Sequence, residues 1–359
     1  MPSPAQATSR STGRRVVIVA GAGRSGTSTL AGILRLIGFH VPEPEVAADA
    51  TNPKGFSESQ WVVDFHDGLL AKVNVQVSDA RPTAWAQTSR LTHRPGPQRR
   101  LKQWLDEEFT AADELLVKDP RTSWFLGLWR NVVPQSGAEP VFATMLRPPA
   151  EVVGSKRTHY NQRLDDAPGV AAWVNMMLNT ELVTRGSPRV FMEYQDLLTD
   201  WKSAMQLVGK ALDLPATVDP PPEVLDAVDG FVDPGLRRVE LTWDDLDLPE
   251  RLHDIAHDSW ALLRQLADQD SEETRAALDE VKTRYDGYYL ESESVVRSSV
   301  IAARVAADRR ATAQLMSVPA PAVPGQTPTR VDRWTHRTPH ILRAMVPLAA
   351  RTWVRRRLG

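Results

Sequence analysis

Apolar positions along the 359-residue chain keep changing rhythm between compact runs and helical spacing. Residues 16–20 (VVIVA) form a β-branched run of the kind that makes a fully buried parallel strand, and 114–120 (ELLVKDP), 139–146 (EPVFATML) and 189–194 (RVFMEY) read as further strands. From Thr27 onward Leu30, Ile33, Leu34 and Ile37 recur at helical spacing, and Gly38 closes that helix; residues 39–41 then start a short strand. A second helix begins at Ser57 or Glu58 and carries Trp61, Val62, Phe65, Leu69 and Leu70. Residues 98–109 form a charged surface helix, 169–184 an amphipathic one, and 195–215 a closing helix that ends at a proline. The stretch 248–315 is helical and charged, with an interruption at Asp286 and Gly287.

Between these elements, 42–55 is a polar loop punctuated by prolines, ending in a turn at Asn52 to Gly55. Residues 73–96 have few periodic signals and read as an irregular insertion, part of an acceptor pocket or a lid. Residues 220–235 are proline-rich, and 317–329 form an extended linker. Strands alternating with helices give an α/β fold, a P-loop-type parallel sheet flanked by helices over 15–245. A helical C-terminal extension (246–316), the linker and a basic tail (330–359) follow, and 1–14 is a disordered leader without an apolar core.

Composition narrows the chemistry. The chain is 42% hydrophobic and 25% charged, as ordinary globular proteins are, and it has no cysteine, which excludes disulfides, thiolate nucleophiles and thiolate metal sites. No run approaches the roughly 20 apolar residues of a membrane span, and a cysteine-free chain is compatible with a reducing cytoplasm. The net charge of −2 hides an asymmetry: residues 330–359 hold eight arginines against Asp332, so the remainder carries −9. Apolar residues interleave with those arginines, which suits a membrane surface on the cytoplasmic side, although Pro339 and Pro347 break the segment. Docking on the acidic body, or simple solvation, are the alternatives. Only the tail favours nucleic acid, and no nucleic-acid partner is expected.

The candidate chemistry centres on the turn between the first strand and the first helix. Gly21 to Gly26 has the GxxxxG spacing of a phosphate-binding loop, whose backbone amides and following helix N-terminus cradle an anion. Thr27 stands where a nucleotidase carries lysine, and the loop's cation is Arg24, so triphosphate cleavage is disfavoured. Glu58, one element later, can face the same cleft, or merely complement a helix dipole. Lys118 at a strand end can neutralise a leaving oxygen without a metal. Asp119 beside it permits a Walker B reading, and a surface ion pair is the plainer one. Arg147 ends a strand, with Ser155 eight positions on, a spacing that lets guanidinium and hydroxyl converge on one dianion. Arg237 or Arg238 can return to a nucleotide or stay solvated.

The wording RSGTSTL (24–30) resembles the 5′-phosphosulfate loop of sulfotransferases, and Arg147 with Ser155 resembles their 3′-phosphate signature. Together with residues 52–58, 118–121 and 194–198, these segments look like the bacterial branch of the sulfotransferases that use 3′-phosphoadenosine 5′-phosphosulfate (PAPS), over about residues 15–245. The layout is similar to tyrosylprotein and heparan N-sulfotransferases, which place a catalytic glutamate shortly after the first helix. The lysine-threonine-histidine strand and the RKG segment of cytosolic sulfotransferases are missing. The resemblance implies sulfuryl transfer from PAPS to an acceptor hydroxyl or amine, without a metal. It makes Glu58 the base, with Lys118 and Arg24 stabilising developing charge. Ser25, Gly26, Thr27, Ser28 and Thr29 join Arg24 on the 5′-phosphosulfate, and Arg147 and Ser155 take the 3′-phosphate. The acceptor it suggests is a carbohydrate or glycolipid, with a small metabolite as the next choice. A magnesium-dependent P-loop kinase or nucleotidase, and a non-catalytic nucleotide-binding or membrane-scaffold protein, are the rival classes.

Overall fold

Four strands, β1 (Arg14–Ala20), β2 (Glu114–Lys118), β3 (Ala138–Leu146) and β4 (Arg189–Glu193), pair in parallel in the order β2-β1-β3-β4. This arrangement comes from a computed structural model that describes residues 13–49, 52, 54–160, 165–233, 235 and 241–317. Most of the leader, Arg237 and Arg238, the linker beyond residue 317 and the basic tail lie outside the described residues. The chain divides into two units, Met1–Ser294 and Val295–Gly359.

β1 is apolar because it is covered on both faces. Val16, Ile18 and Ala20 belong to one buried cluster and Val17 and Val19 to another, with every one of the five at most 2% exposed. Alternate residues of a strand point to opposite faces, so a central strand with two covered faces reads as continuous apolar sequence. β1 begins two residues ahead of that run, at Arg14, a residue expected in the leader.

Helices cover the two faces. One face holds α1 (Thr27–Ile37), α8 (Tyr194–Thr199), α9 (Trp201–Leu212) and α10 (Pro222–Phe231). The other holds α2 (Gln60–Val73), α3 (Pro82–Thr92), α4 (Pro95–Glu108), α5 (Leu126–Val132), α7 (Asp166–Thr184) and α11 (Glu250–Asp268). α6 (Pro149–Tyr160) follows β3, and α12 (Glu272–Ser317) buries Leu278, Val281 and Tyr285 in the first unit. In the second unit Val295, Val296, Val300, Ile301 and Val305 are exposed. Among the described residues no helix is long and apolar enough to cross a membrane.

Several segments differ from the sequence expectation. Residues 73–96 are not irregular, since α3 fills much of them. Its buried positions are Ala84, Trp85, Thr88 and Thr92, and the Thr88 hydroxyl donates to Ala84 O at 3.1 Å, so a polar residue occupies the core without an orphaned group. α12 runs through Asp286 and Gly287; the helical region breaks instead at 269–271, where Ser271 Oγ accepts Thr274 N–H at 3.1 Å. The continuation is supported by a Lys282–Asp286 ion pair of 2.7 Å and by buried Tyr285. The closing helix divides at Asp200, which caps α9 through Ser203 N–H. Residues 39–41 form no strand, only a bridge from His40 to Leu115, and the proline-rich 220–235 contains α10.

Helix α1 is bounded by two glycines in left-handed conformation, Gly26 (φ +91°) at its start and Gly38 (φ +119°) at its end. A Cβ on Gly26 would stand 2.1 Å from the Tyr194 ring, whereas one on Gly38 would meet nothing. Gly38→Ala therefore carries only the backbone term, about 1–2 kcal/mol. Gly26→Ala adds an overpacking cost of about 1–3 kcal/mol. Denaturant unfolding of the two variants is expected to rank Gly26→Ala as the more damaging, and equal losses would mean that Tyr194 yields freely.

Candidate active site

Strand register brings the candidate residues to one edge. Val19 is level with Lys118, Ala20 with Thr144 and Leu146 with Glu193, so all four strands end together at the carboxyl side of the sheet. β1 has β2 on one side and β3 on the other, and the crevice beyond such a reversal of strand order is where open α/β sheets bind ligands. A cavity of about 940 Å³ opens there.

The loop after β1 turns through three residues of positive φ: Gly21 (+139°), Arg24 (+76°) and Gly26 (+91°). Gly23, Arg24, Gly26, Thr27, Ser28 and Thr29 line the cavity. Ser25 does not. Its N–H donates to Ala22 O at 3.1 Å, and its buried hydroxyl has no hydrogen-bond partner among the described residues. The amides of Gly26, Thr27 and Ser28 find no acceptor among the described residues, as expected of a helix start. Unpartnered amides at a helix N-terminus facing a cavity fit a phosphate or phosphosulfate group.

Lys118 joins three elements. Its ammonium, 3% exposed, donates to Glu58 Oε1 at 2.5 Å and to Ser28 Oγ at 2.7 Å, and lies 5.9 Å from the centre of the Phe56 ring. Glu58 is not the helical residue that its sequence suggests. α2 starts at Gln60, and Glu58 sits in the preceding segment, fixed by Val46 N–H on Glu58 O and by Gln60 N–H on Pro44 O, both 2.8 Å. The helix-dipole role therefore gives way to a buried ion pair, and Lys118 is no surface cation. Burial pushes the Glu58 carboxyl above its ordinary range; Lys118 pulls it back, and the nearby negative charge of Asp119 pushes it further up.

Arg24, Arg147 and Ser155 form a second group. Arg147 Nε donates to Glu151 Oε2 at 2.9 Å and its Nη1 to Arg24 O at 3.0 Å, while its guanidinium lies 5.1 Å from the Tyr194 ring centre. The Ser155 hydroxyl accepts from Arg24 Nε at 3.1 Å. Ser155 and Arg147 thus each contact Arg24, and all three line the cavity. Tyr194, the first residue of α8 rather than the last of a strand, has its hydroxyl raised by burial, against the Thr29 hydrogen bond and the two arginines.

Asp119 faces away from the cavity. The Nδ1–H of His66 donates to its Oδ2 at 2.8 Å, an assignment that follows from Nε2 accepting the indole N–H of Trp129 at 3.0 Å. Arg121 Nη1 pairs with the other oxygen at 2.7 Å and its Nε with Asp67. With both oxygens engaged, Asp119 is a structural anion and not a Walker B ligand. Burial opposes its charge, but His66 and Arg121 together hold the carboxyl below the usual range.

Sequence reasoning missed His66, Glu151 and Lys156, and it counted Tyr194 only within a family-like segment, with no role of its own. Glu151 was readable as the (i, i+4) partner of Arg147. His66 and Tyr194 reach their partners only through tertiary packing. Among the described residues no group of three or more His, Cys, Asp or Glu gathers as a metal site.

No protein-family model matches the chain, and no curated protein matches it. Among solved structures, the chain is similar to the sulfotransferase domain of the Synechococcus PCC 7002 olefin synthase, at 16% identity and a TM-score of 0.39, over 72% of this chain and 96% of that one.

The Asp119 network carries a pH signature. A carboxyl whose folded pKa lies below its unfolded value adds stability that is complete above the unfolded pKa and is lost as pH falls through the folded one. Asp119→Asn is expected to cost about 3 kcal/mol at pH 7, the scale for breaking a buried ion pair. It should also flatten the loss of stability below about pH 4. Denaturant melts at several pH values check both, and an unchanged acid slope would remove Asp119 from the titration.

Proposed function

We propose that this protein is a sulfotransferase that moves a sulfuryl group from PAPS to an acceptor hydroxyl or amine. The observation that carries the reading is the contact of Ser28, Lys118 and Glu58 inside the cavity that also holds the phosphate-type loop. A carboxyl of raised pKa, a buried ammonium and a set of helix-start amides around one space support the reading.

PAPS supplies the sulfuryl group. Gly26, Thr27, Ser28 and Thr29 would hold its 5′ end through backbone amides and hydroxyls, and Ser25 would keep the turn in shape behind them. Arg147 and Ser155 would hold the 3′-phosphate, with Arg24 bridging the two ends through its contact with Ser155. Glu58 would take the proton of the acceptor as its oxygen or nitrogen bonds to sulfur, a task suited to a carboxylate whose pKa is moved toward neutrality. Lys118 and Ser28 would donate to the oxygen that gathers charge as the old sulfur–oxygen bond breaks. Because Lys118 is already positioned by Glu58, that donor needs no reorganisation. The acceptor is a carbohydrate or glycolipid, and the arginine-rich tail would hold the protein against the cytoplasmic face of a membrane.

Calorimetric titration with adenosine 3′,5′-bisphosphate, and separately with ATP and magnesium, tests the reading. Micromolar binding of the bisphosphate is expected, weakened about ten- to hundredfold in Arg147→Ala by loss of charge-assisted hydrogen bonds. Preference for magnesium-ATP would replace the reading with a kinase.

With labelled PAPS and an acceptor, Lys118→Ala should lose on the order of a hundredfold or more in turnover. Glu58→Gln should lose about 10²–10⁴-fold while still binding the bisphosphate. The acid limb of kcat/KM should fall at a pH above the ordinary glutamate range and move downward in Asp119→Asn, which deletes a negative charge near Glu58. An acid limb that stays in place would separate Asp119 from the base.

A further inference from the structure

Five of the cations that line the cavity have a carboxylate, hydroxyl or carbonyl partner within the protein. Lys118, Arg121 and Arg147 each pair with a carboxylate, Arg24 donates to Ser155, and exposed Lys54 donates to Phe231 O. Lys156 is different. It is half-buried in the cavity wall, no carboxylate among the described residues lies within ion-pair distance, and its ammonium donates to the Ser78 hydroxyl at 2.9 Å.

We propose that Lys156 and Ser78 form an anion-binding subsite on the acceptor side of the cavity, taking a carboxylate, sulfate or phosphate carried by the acceptor. The inference rests on the donor occupying the loop end, as proposed above.

The two sides are separated by one step along α6. Ser155 meets Arg24 of the loop, whereas Lys156, about 100° further round the helix, meets the segment between α2 and α3. Gln76, Val77 and Ser78 of that segment line the cavity. The segment is held in place on both sides of Ser78. Trp124 donates its indole N–H to Val77 O at 3.0 Å, and Asn175 Nδ2 donates to Asp79 O at 2.8 Å. The Asp79 carboxylate in turn accepts Arg81 N–H at 2.9 Å. The Ser78 hydroxyl is therefore presented at a fixed position, and an anion that meets it and Lys156 needs little ordering of the protein.

Energetics point the same way. Burial without a compensating carboxylate lowers the Lys156 amine to about 8. An arriving anion would supply the missing charge, so binding strengthens the ammonium and the ammonium strengthens binding.

Amine acylation at pH 8, read at each lysine by mass spectrometry, tests the subsite, because only the deprotonated amine reacts. With the nucleotide end saturated by adenosine 3′,5′-bisphosphate, inorganic sulfate at constant ionic strength is expected to slow labelling of Lys156 about fivefold, since an adjacent anion raises an amine's pKa by about one or more. Ser78→Ala should weaken that protection, and Lys156→Met should bind the bisphosphate as tightly as the parent. If the bisphosphate alone protects Lys156 as fully, or Lys156→Met loses bisphosphate affinity as Arg147→Ala does, the anion is the nucleotide's and the proposal falls. It falls equally if sulfate leaves labelling unchanged. A protein that binds no bisphosphate fails the donor reading, while the sulfate arm without nucleotide still decides on Lys156.

Discussion

Parallel pairing of β1 with both of its neighbours is the constraint from which the cavity follows. Because Val19 is level with Lys118, Ala20 with Thr144 and Leu146 with Glu193, the strands stop at one edge, and whatever follows each strand enters the same crevice. The loop after β1, Lys118 at the end of β2, Arg147 after β3 and Tyr194 after β4 are brought together by this rule alone. The register is protected by burial. A slip of one residue would exchange Val16 and Ile18 with Val17 and Val19 between two separately packed clusters, moving every side chain of β1 to the wrong face.

Given that edge, the remaining problem is electrostatic. Charges gathered where strands end are partly removed from water, and a buried charge is tolerable only with its partners in place. Two carboxylates near enough to feel each other's charge behave oppositely in this region. Asp119 has a histidine N–H and a guanidinium on its two oxygens, and it stays anionic. Glu58 has a single ammonium, and burial prevails over it. Environments that push the pKa values of neighbouring acids apart are what acid–base chemistry needs, and here the difference arises from how many donors each oxygen receives. In the proposed reaction Asp119 acts through Glu58, by its charge.

The strands and the loop were legible in the sequence because their signals are local. VVIVA followed by GAGRSGTS specifies a buried strand, a tight turn and a helix start within a few residues, and all three are present. Arg147 and Ser155 were legible by spacing on one strand-to-helix unit. What escaped was set by partners distant in sequence. α3 was hidden because Thr88 and Thr92 occupy buried positions that pattern reading reserves for apolar residues, with Thr88 satisfying its hydroxyl within its own helix. Asp286 and Gly287 look like a helix break, yet an ion pair to Lys282 and the packing of Tyr285 carry the helix past them. Glu58 does line the cavity, but from the segment before α2 and not from the helix. The segment before α2 is tied down by backbone contacts to residues 44 and 46, which no periodicity encodes.

In the proposed reaction these tertiary ties would suit one wall of the cavity to discriminate among acceptors. Ser78 projects from a segment whose neighbours are held by Trp124 and by Asn175 of α7, while the Tyr285 hydroxyl of α12 lies 2.5 Å from Ala80 O and 2.8 Å from Ala171 O. Trp124 and Tyr285 belong to the buried cluster on one face of the sheet, and Asn175 is carried by α7, which covers the same face. A polar group fixed in this way distinguishes ligands by what it fails to satisfy, because a ligand without the matching charge leaves a half-buried ammonium unpaired. The proposed donor end would need no such discrimination, since backbone amides at a helix start donate to any phosphate-like group. In the proposed reaction, recognition of the donor would therefore rest on main-chain geometry, and recognition of the acceptor on side chains braced by the core.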